Sequence, residues 1–172
     1  TVEDVKTAVR AQIERALALG MLPTHIDNHM GPLHYRQDFF EAMVEIGHEY
    51  GLPARVPFYH EVAAAHDMPC IQSFGMYYSP EGGKAAKFEL YEAHLANLAP
   101  GVHEIAVHLA DDTDEWRELC YVAVDDHPWE DRIFDYEYVT APSTQQRLEE
   151  LGIQLLGYRA LQDLWKKRLA AK

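Results

Sequence analysis

Apolar side chains recur every three or four positions in several stretches of the chain. From Val2 to Leu19 they follow the spacing of one face of an α-helix, and Gly20 stands where a C-terminal cap belongs. Similar spacing, with suitable start and stop residues, predicts further helices at residues 37–50, 80–98, 140–151 and 160–169. Ser79 is the expected N-cap of the helix that begins at Pro80.

Short extended segments lie between these helices. The strongest is Val102–Leu109, where alternation places Glu104 and His108 on one face. Weaker strands are predicted at residues 22–26, 52–58, 70–74 and 153–158. Strands that alternate with helices imply a parallel α/β sheet, either open and doubly wound or closed into a barrel. In both arrangements, functional sites gather at the C-terminal ends of the strands.

Two stretches have no clear period. Residues 58–80 are predicted to form a long loop around the weak strand, and its aromatic side chains either stack on sugar rings or cover the core. Residues 111–127 are crowded with acidic side chains but lack the spacing of a calcium-binding loop. We interpret them as a solvated acidic loop.

Composition narrows the classes of partner. The 172 residues suit a single domain spanning residues 1–172, and the 15 basic and 28 acidic side chains give a net charge of −13. That charge repels phosphate backbones and anionic lipids, so we expect neither nucleic acid nor membrane as a partner. No apolar run approaches the roughly 20 residues of a membrane span. The only cysteines, Cys70 and Cys120, have no CxxC spacing, which favours a reducing, cytoplasmic location.

The segment Thr24–His29 carries the clearest candidate chemistry. His25, Asp27 and His29 stand two residues apart, so an extended backbone would project all three side chains from one face. Imidazole and carboxylate are suitable ligands for Zn²⁺ or another divalent ion, which would activate a water molecule. The alternative is a polar cluster at a strand end that hydrogen-bonds the neighbouring loops.

Two further side chains stand at or near predicted strand ends. His108 is a candidate general acid because imidazole exchanges protons near neutral pH, and the more frequent alternative is a buried histidine with satisfied hydrogen bonds on a strand. Arg55 is suited to binding a carboxylate or orienting an aspartate, and a structural ion pair is its ordinary role.

Several segments, in order, resemble the YdjC-like carbohydrate deacetylase family. They are PTHIDNH at 23–29, YGLPAR at 50–55, EIAVH at 104–108, Arg132 ahead of Ser143, and LGIQLLGYR at 151–159. The resemblance implies a partial or modified TIM-like (β/α) barrel with mostly parallel strands. It also implies metal-dependent hydrolytic removal of acetyl groups from N-acetylated sugars.

The same resemblance implies roles for individual residues. His29 would be a ligand of a divalent metal ion, Mg²⁺ or Zn²⁺, and His108 would be the catalytic acid. Asp27 would be a second catalytic residue, and His25 and Arg55 would contact the substrate.

The chain departs from the family pattern in two places. It contains neither the family's DDFG segment, which supplies a metal-binding aspartate and the catalytic base, nor a second upstream histidine ligand. The family's His-Pro pair is His108-Leu109 here. We therefore expect the C-terminal two thirds of a deacetylase barrel, whose exposed sheet edge favours a homo-oligomer. The rival hypotheses are another metal-dependent amide or ester hydrolase and a non-catalytic sugar-binding module.

Overall fold

A computed structural model describes residues 1–57, 59–119 and 129–171. Its helices are α1 (Val2–Ala18), α2 (Gln37–Glu49), α3 (His60–Ala65), α4 (Gly83–Ala96), α5 (Asp114–Leu119), α6 (Asp131–Thr140), α7 (Pro142–Glu150) and α8 (Tyr158–Ala170). A short 3-10 helix spans Pro32–Tyr35, and the strands are β1 (Ser73–Met76) and β2 (His103–Ala106).

The chain divides into two compact units. Unit 1 comprises Thr1–Gln72 with Leu156–Lys172, and unit 2 comprises Ser73–Leu155. Each unit has a hydrophobic cluster of its own, and each is described by itself.

In unit 1, α1 packs against α2. A capping box between Thr1 and Asp4 satisfies amide groups at the start of α1. Ile13 of α1 then meets Ile46 of α2 in a buried apolar cluster. The larger cluster of unit 1 contains Phe40, Met43, Val44, Ala54, Val56, Val62, Ala63, Met68 and Trp165. The helical periods predicted for α1, α2 and α8 are confirmed.

The strands predicted at residues 22–26 and 52–58 are reduced to one parallel bridge between Ile26 and Ala54. The Ile26 amide donates to the Pro53 carbonyl at 3.0 Å, and the Arg55 amide donates to the Ile26 carbonyl at 2.9 Å. Pro23 and Pro53 lack the N–H groups that a longer ladder requires, which accounts for the short pairing. Phe58 lies outside the described residues.

In unit 2, β1 and β2 pair in parallel, from Ser73 opposite His103 to Met76 opposite Ala106. The prediction of a parallel α/β fold is confirmed, while the barrel stays a prediction. The strand predicted as Val102–Leu109 ends at Ala106, so His108 lies beyond it. Tyr91, Leu95, Tyr138 and Leu148 form the buried cluster of this unit.

Other element boundaries were predicted wrongly. The helix expected at Pro80 begins at Gly83, because Ser79 hydrogen-bonds Asp131 rather than capping the helix. Residues 153–157 form no strand, and α8 starts at Tyr158. The stretches expected to be loops contain α3 and α5, and α6 follows where no helix was predicted.

The second half of the acidic stretch lies outside the described residues. This part falls within residues 120–128, which include Cys120, Asp125, Asp126 and His127. Among the residues described, no helix combines the length and apolar character needed to cross a bilayer.

Candidate functional site

The bridge in unit 1 places Asp27 and Arg55 side by side. Each residue follows a bridge partner, Ile26 or Ala54, and parallel pairing carries both chains to the same end. Arg55 Nη1 lies 3.5 Å from Asp27 Oδ1, and the Arg55 side chain is 15% exposed against 39% for Asp27. The same Asp27 oxygen accepts a hydrogen bond from the Asn28 amide at 2.7 Å. The Asp27 carboxylate is thus oriented while it keeps access to solvent.

Asn28 organises the turn that follows. Its side-chain oxygen accepts from the Leu33 amide at 3.0 Å, so its amide nitrogen faces His34 Nε2 at 3.2 Å. Gly31 lies in the left-handed region, with φ of 68°, and its amide donates to the Asn28 carbonyl. The buried Asn28 side chain therefore fixes the path of the backbone after Asp27.

This arrangement favours the neutral form of the His34 imidazole. Burial and the nearby Arg55 charge lower the pKa of His34, and the Asp27 carboxylate opposes them. A neutral imidazole accepts the Asn28 hydrogen bond at Nε2. Tyr59 donates to the His34 carbonyl at 2.8 Å and secures the same turn.

His25 lies on the other side of the bridge residue. Its ring stacks on Tyr158, the first residue of α8, and its Nδ1 lies 2.9 Å from Thr24 Oγ1. His29, in contrast, is exposed beyond the turn residue Asn28.

An open groove of about 740 Å³ runs along these residues within unit 1. His25, Asp27 and His29 are among its polar lining residues, together with Thr1, Asp4, Gln12 and Asn28. Its apolar lining comes from α1, α2 and neighbouring residues, among them Val5, Val9, Ile13, Leu33, Phe39, Met43 and Leu52. Polar groups in an apolar groove suit a ligand that has both kinds of surface.

The described residues of the groove offer fewer converging metal donors than a catalytic metal site requires. An open catalytic metal site takes about three protein ligands. Within residues 1–57, 59–119 and 129–171, no group of three or more His, Cys, Asp or Glu side chains converges as metal ligands do. His29 is a suitable single donor, whereas Asp27 is engaged by Arg55. These residues do not by themselves compose a metal site.

His108 belongs to unit 2. Its side chain is exposed just after β2, and its backbone amide donates to Asp135 Oδ2 at 3.0 Å. Asp135 is almost fully buried and also contacts Lys87 and Tyr91. The buried Asp135 carboxylate therefore holds the backbone of His108, the residue predicted to donate a proton.

The structure brings together four of the five predicted site residues in unit 1 and places His108 in unit 2. The residues that sequence reasoning missed are Asn28, His34, Tyr158, Lys87, Tyr91 and Asp135. For unit 2, one signal was available, since Lys87 and Tyr91 are four positions apart, as are Asp131 and Asp135. That spacing puts each pair on one helix face.

The fold and groove define an α/β protein with polar groups where parallel chain segments end. The chain belongs to the YdjC-like protein family, whose model matches residues 1–150.

Curated relatives carry the description carbohydrate deacetylase. The protein of Geobacillus stearothermophilus is 24% identical over 168 residues, covering 94% of this chain and 61% of that relative. That of Thermoanaerobacter pseudethanolicus is 29% identical over 118 residues, covering 66% of this chain and 45% of the relative. The protein of Clostridium beijerinckii is 37% identical over 54 residues, covering 31% of this chain and 22% of that relative. The chain thus spans less than two thirds of the length of these relatives.

A crystal structure from Enterococcus faecalis V583, described as a proposed cellobiose-phosphate cleavage protein, has a similar fold. The TM-score is 0.69 at 20% sequence identity, with 94% of this chain and 61% of that chain covered. This likeness supports the fold alone.

Proposed function

We propose that this chain forms part of an enzyme that hydrolyses the acetamido group of N-acetylated sugars, on a partial or modified TIM-like (β/α) barrel. Membership of the YdjC-like family and similarity to carbohydrate deacetylases support the proposal. The observation that carries it is the groove of unit 1, whose lining residues include His25, Asp27 and His29, with Arg55 paired to Asp27.

Hydrolysis of an acetamide adds one water molecule across the C–N bond and yields acetate and an amine. In the proposed reaction, Asp27 accepts a hydrogen bond from the attacking water, and Arg55 keeps that carboxylate oriented. His108 gives a proton to the departing nitrogen, which cannot leave as an anion. His25 and Arg55 contact the sugar.

We further propose that His29 supplies one ligand to a divalent ion, Mg²⁺ or Zn²⁺. Such an ion supplies Lewis acidity toward the acetyl carbonyl. The exposed imidazole of His29 at the groove supports this role, because a ligand must be reachable from solvent.

Metal stoichiometry and acetate release test these roles on the 172-residue chain. The chain is equilibrated with Zn²⁺ or Mg²⁺, and acetate release from N-acetyl-chitooligosaccharides is compared with release from simple amides and esters. Because His29 is a single donor, we expect this chain to bind the ion weakly and His29→Ala to abolish that weak binding. We expect His108→Ala to lower kcat about 10²-fold or more. The matched control is His60→Ala, which changes another exposed histidine and leaves both quantities as in the parent.

The outcomes separate the rival functions. Faster turnover of simple amides or esters than of acetylated sugars would replace the deacetylase proposal with a broader hydrolase. Sugar binding that needs no metal, without acetate release and unaffected by His108→Ala, would identify a non-catalytic sugar-binding module.

The two cysteines, which have no CxxC spacing, support a cytoplasmic location for this activity. A partial barrel leaves a sheet edge that favours self-association, and light scattering of the purified chain tests whether it forms a homo-oligomer.

A further inference from the structure

A buried charge network joins α4 to α6 in unit 2. Lys87 is completely buried, and its ammonium lies 2.9 Å from Asp131 Oδ2 and 2.5 Å from Asp135 Oδ1. Tyr91, one turn further along α4, donates to the same Asp135 oxygen at 2.5 Å. Ser79 donates to Asp131 through its amide and its hydroxyl.

The network also hydrogen-bonds the segment after β2. Asp135 Oδ2 accepts the backbone amide of His108 at 3.0 Å. Two residues later, the Ala110 amide donates to the Arg132 carbonyl at 3.2 Å. Hydrogen bonds to α6 therefore hold the backbone on both sides of Leu109, although the Leu109 side chain is half exposed.

Stability alone is a weak reason for such a network. A buried ion pair loses so much hydration that apolar side chains of similar volume often stabilise a protein as well or better. Asp135 accepts a hydrogen bond from the backbone N–H of His108, which lies beyond the end of β2, and an apolar side chain could not accept that bond. Lys87 and Tyr91 both bond its Oδ1, which leaves Oδ2 facing His108.

We propose that Asp135 is a positioning residue for His108 and that Lys87 and Tyr91 fix Asp135 for this task. The anchored amide sets the backbone from which the exposed imidazole projects, so a sub-ångström shift of the anchor moves the proton donor. This inference rests on the proposed function, in which His108 protonates the departing amine.

The test uses paired substitutions that keep charge balanced. Lys87→Met with Asp135→Leu removes the acceptor for the His108 amide without changing the net charge. Asp131 loses its cation in this variant and keeps its two hydrogen bonds from Ser79. Lys87→Met with Asp135→Asn restores a neutral oxygen acceptor and serves as the rescue variant. The matched control is Lys84→Met with Glu137→Leu, which removes an exposed ion pair between the same two helices.

Two readouts are compared in these variants. In the Met/Leu variant, we expect the His108 amide hydrogen to exchange at least tenfold faster than in the parent, measured relative to the Ile105 amide of β2. We also expect kcat to fall at least tenfold, with KM within twofold of the parent value. The Met/Asn variant should restore most of the slow His108 exchange and most of kcat. The control pair should leave the exchange rate and kcat as in the parent. A network with a purely structural role would move both amides together and would not be rescued.

Unchanged His108 exchange and unchanged kcat in the Met/Leu variant would overturn the inference. If the Met/Leu variant does not fold, the Met/Asn variant tests the inference instead. It lacks the charges of Lys87 and Asp135, and we still expect slow exchange of the His108 amide because the asparagine side chain at position 135 offers an oxygen acceptor. Failure of the proposed function is distinguishable, since His108→Ala would leave acetate release unchanged while the amide exchange still reports the anchor.

Discussion

The imidazole of His25 lies flat against the ring of Tyr158, with ring centroids 3.8 Å apart and planes 11° from parallel. Tyr158 begins α8, and the adjacent Arg159 donates to the Leu22 carbonyl at 2.8 Å. The start of the last helix is therefore tied to the segment that carries the candidate site.

Replacing Tyr158 tests this contact. We expect Tyr158→Leu to cost about 0.5–1.5 kcal/mol of unfolding free energy beyond its loss of buried area, because stacked aromatic pairs contribute about that much. The ring resonances of His25 should move in the NMR spectrum when the neighbouring ring is removed. Tyr158→Phe keeps the ring, and a His25 spectrum that changes equally in both variants would contradict the stacking.

The depressed pKa of His34 predicts a dependence of stability on pH. Burial and Arg55 favour the neutral imidazole in the folded state, so its contribution is complete above the unfolded value of about 6.5. It is lost as the pH falls through the lower folded pKa. Urea unfolding between about pH 7.5 and pH 5 should therefore show a shallower acid loss for His34→Gln than for the parent.

The exposed His60 provides the comparison for that experiment. His60→Gln should reproduce the acid dependence of the parent, because His60 lies in solvent at the start of α3. Parallel curves for the parent and His34→Gln would show that His34 has the same pKa in both states.

Two lysines on α4 should differ sharply in their cost of replacement. Lys87→Met leaves the carboxylates of Asp131 and Asp135 buried without their cation, so we expect a loss of about 3–5 kcal/mol in denaturant unfolding. Lys84 is 49% exposed beside Glu137, and Lys84→Met should cost under about 1 kcal/mol. Equal costs would mean that the Lys87 network is not buried in solution.

Asp131 supports the same interpretation of this network. Burial acts to raise the pKa of Asp131, but hydrogen bonds from Ser79 and Lys87 outweigh it and hold the pKa below its ordinary value. The anion is thus the form that the folded state favours.

Gly47 is a site of close approach in α2. A Cβ atom there would lie 2.5 Å from the Leu52 carbonyl oxygen and 2.9 Å from Ile26 Cδ1. We expect Gly47→Ala to cost about 1–3 kcal/mol despite the better helix propensity of alanine, since a backbone atom cannot move aside cheaply. Thermal and urea unfolding measure the change.

Gly157 supplies the control for that substitution. An added Cβ at Gly157 meets nothing within 4 Å, so Gly157→Ala should cost less than about 1 kcal/mol. A smaller loss at Gly47 than at Gly157 would contradict the packing of α2 against the Ile26 segment.

The elements that sequence predicted well have strong local signals. The long apolar periods of α1 and α2 fix a helix face whatever lies opposite, and both helices end within a residue or two of their predicted bounds. The short strands were predicted poorly because a few alternating residues pair only when a partner chain is present. The pairing of Ile26 with Ala54 and of β1 with β2 depends on residues about thirty positions apart.

The candidate site shows the same division. The spacing of His25, Asp27 and His29 predicted a shared face of an extended segment, and all three are among the residues that line the groove. The partners that hold the site were not predictable locally. Tyr158 is far along the chain from His25, and nothing near Asn28 indicates that its amide will organise a turn around His34.

The sequence by itself determined the helical periods, the parallel α/β class and membership of the YdjC-like family, because each is carried by residues close together or by motifs in order. Only the tertiary structure decided that Lys87 is buried and that the His108 amide bonds Asp135. Lys87 lies 44 residues from Asp131, and His108 lies 27 residues from Asp135. A lysine on a helix has no local signal of burial, since the carboxylates that compensate its charge arrive only when α6 packs against α4.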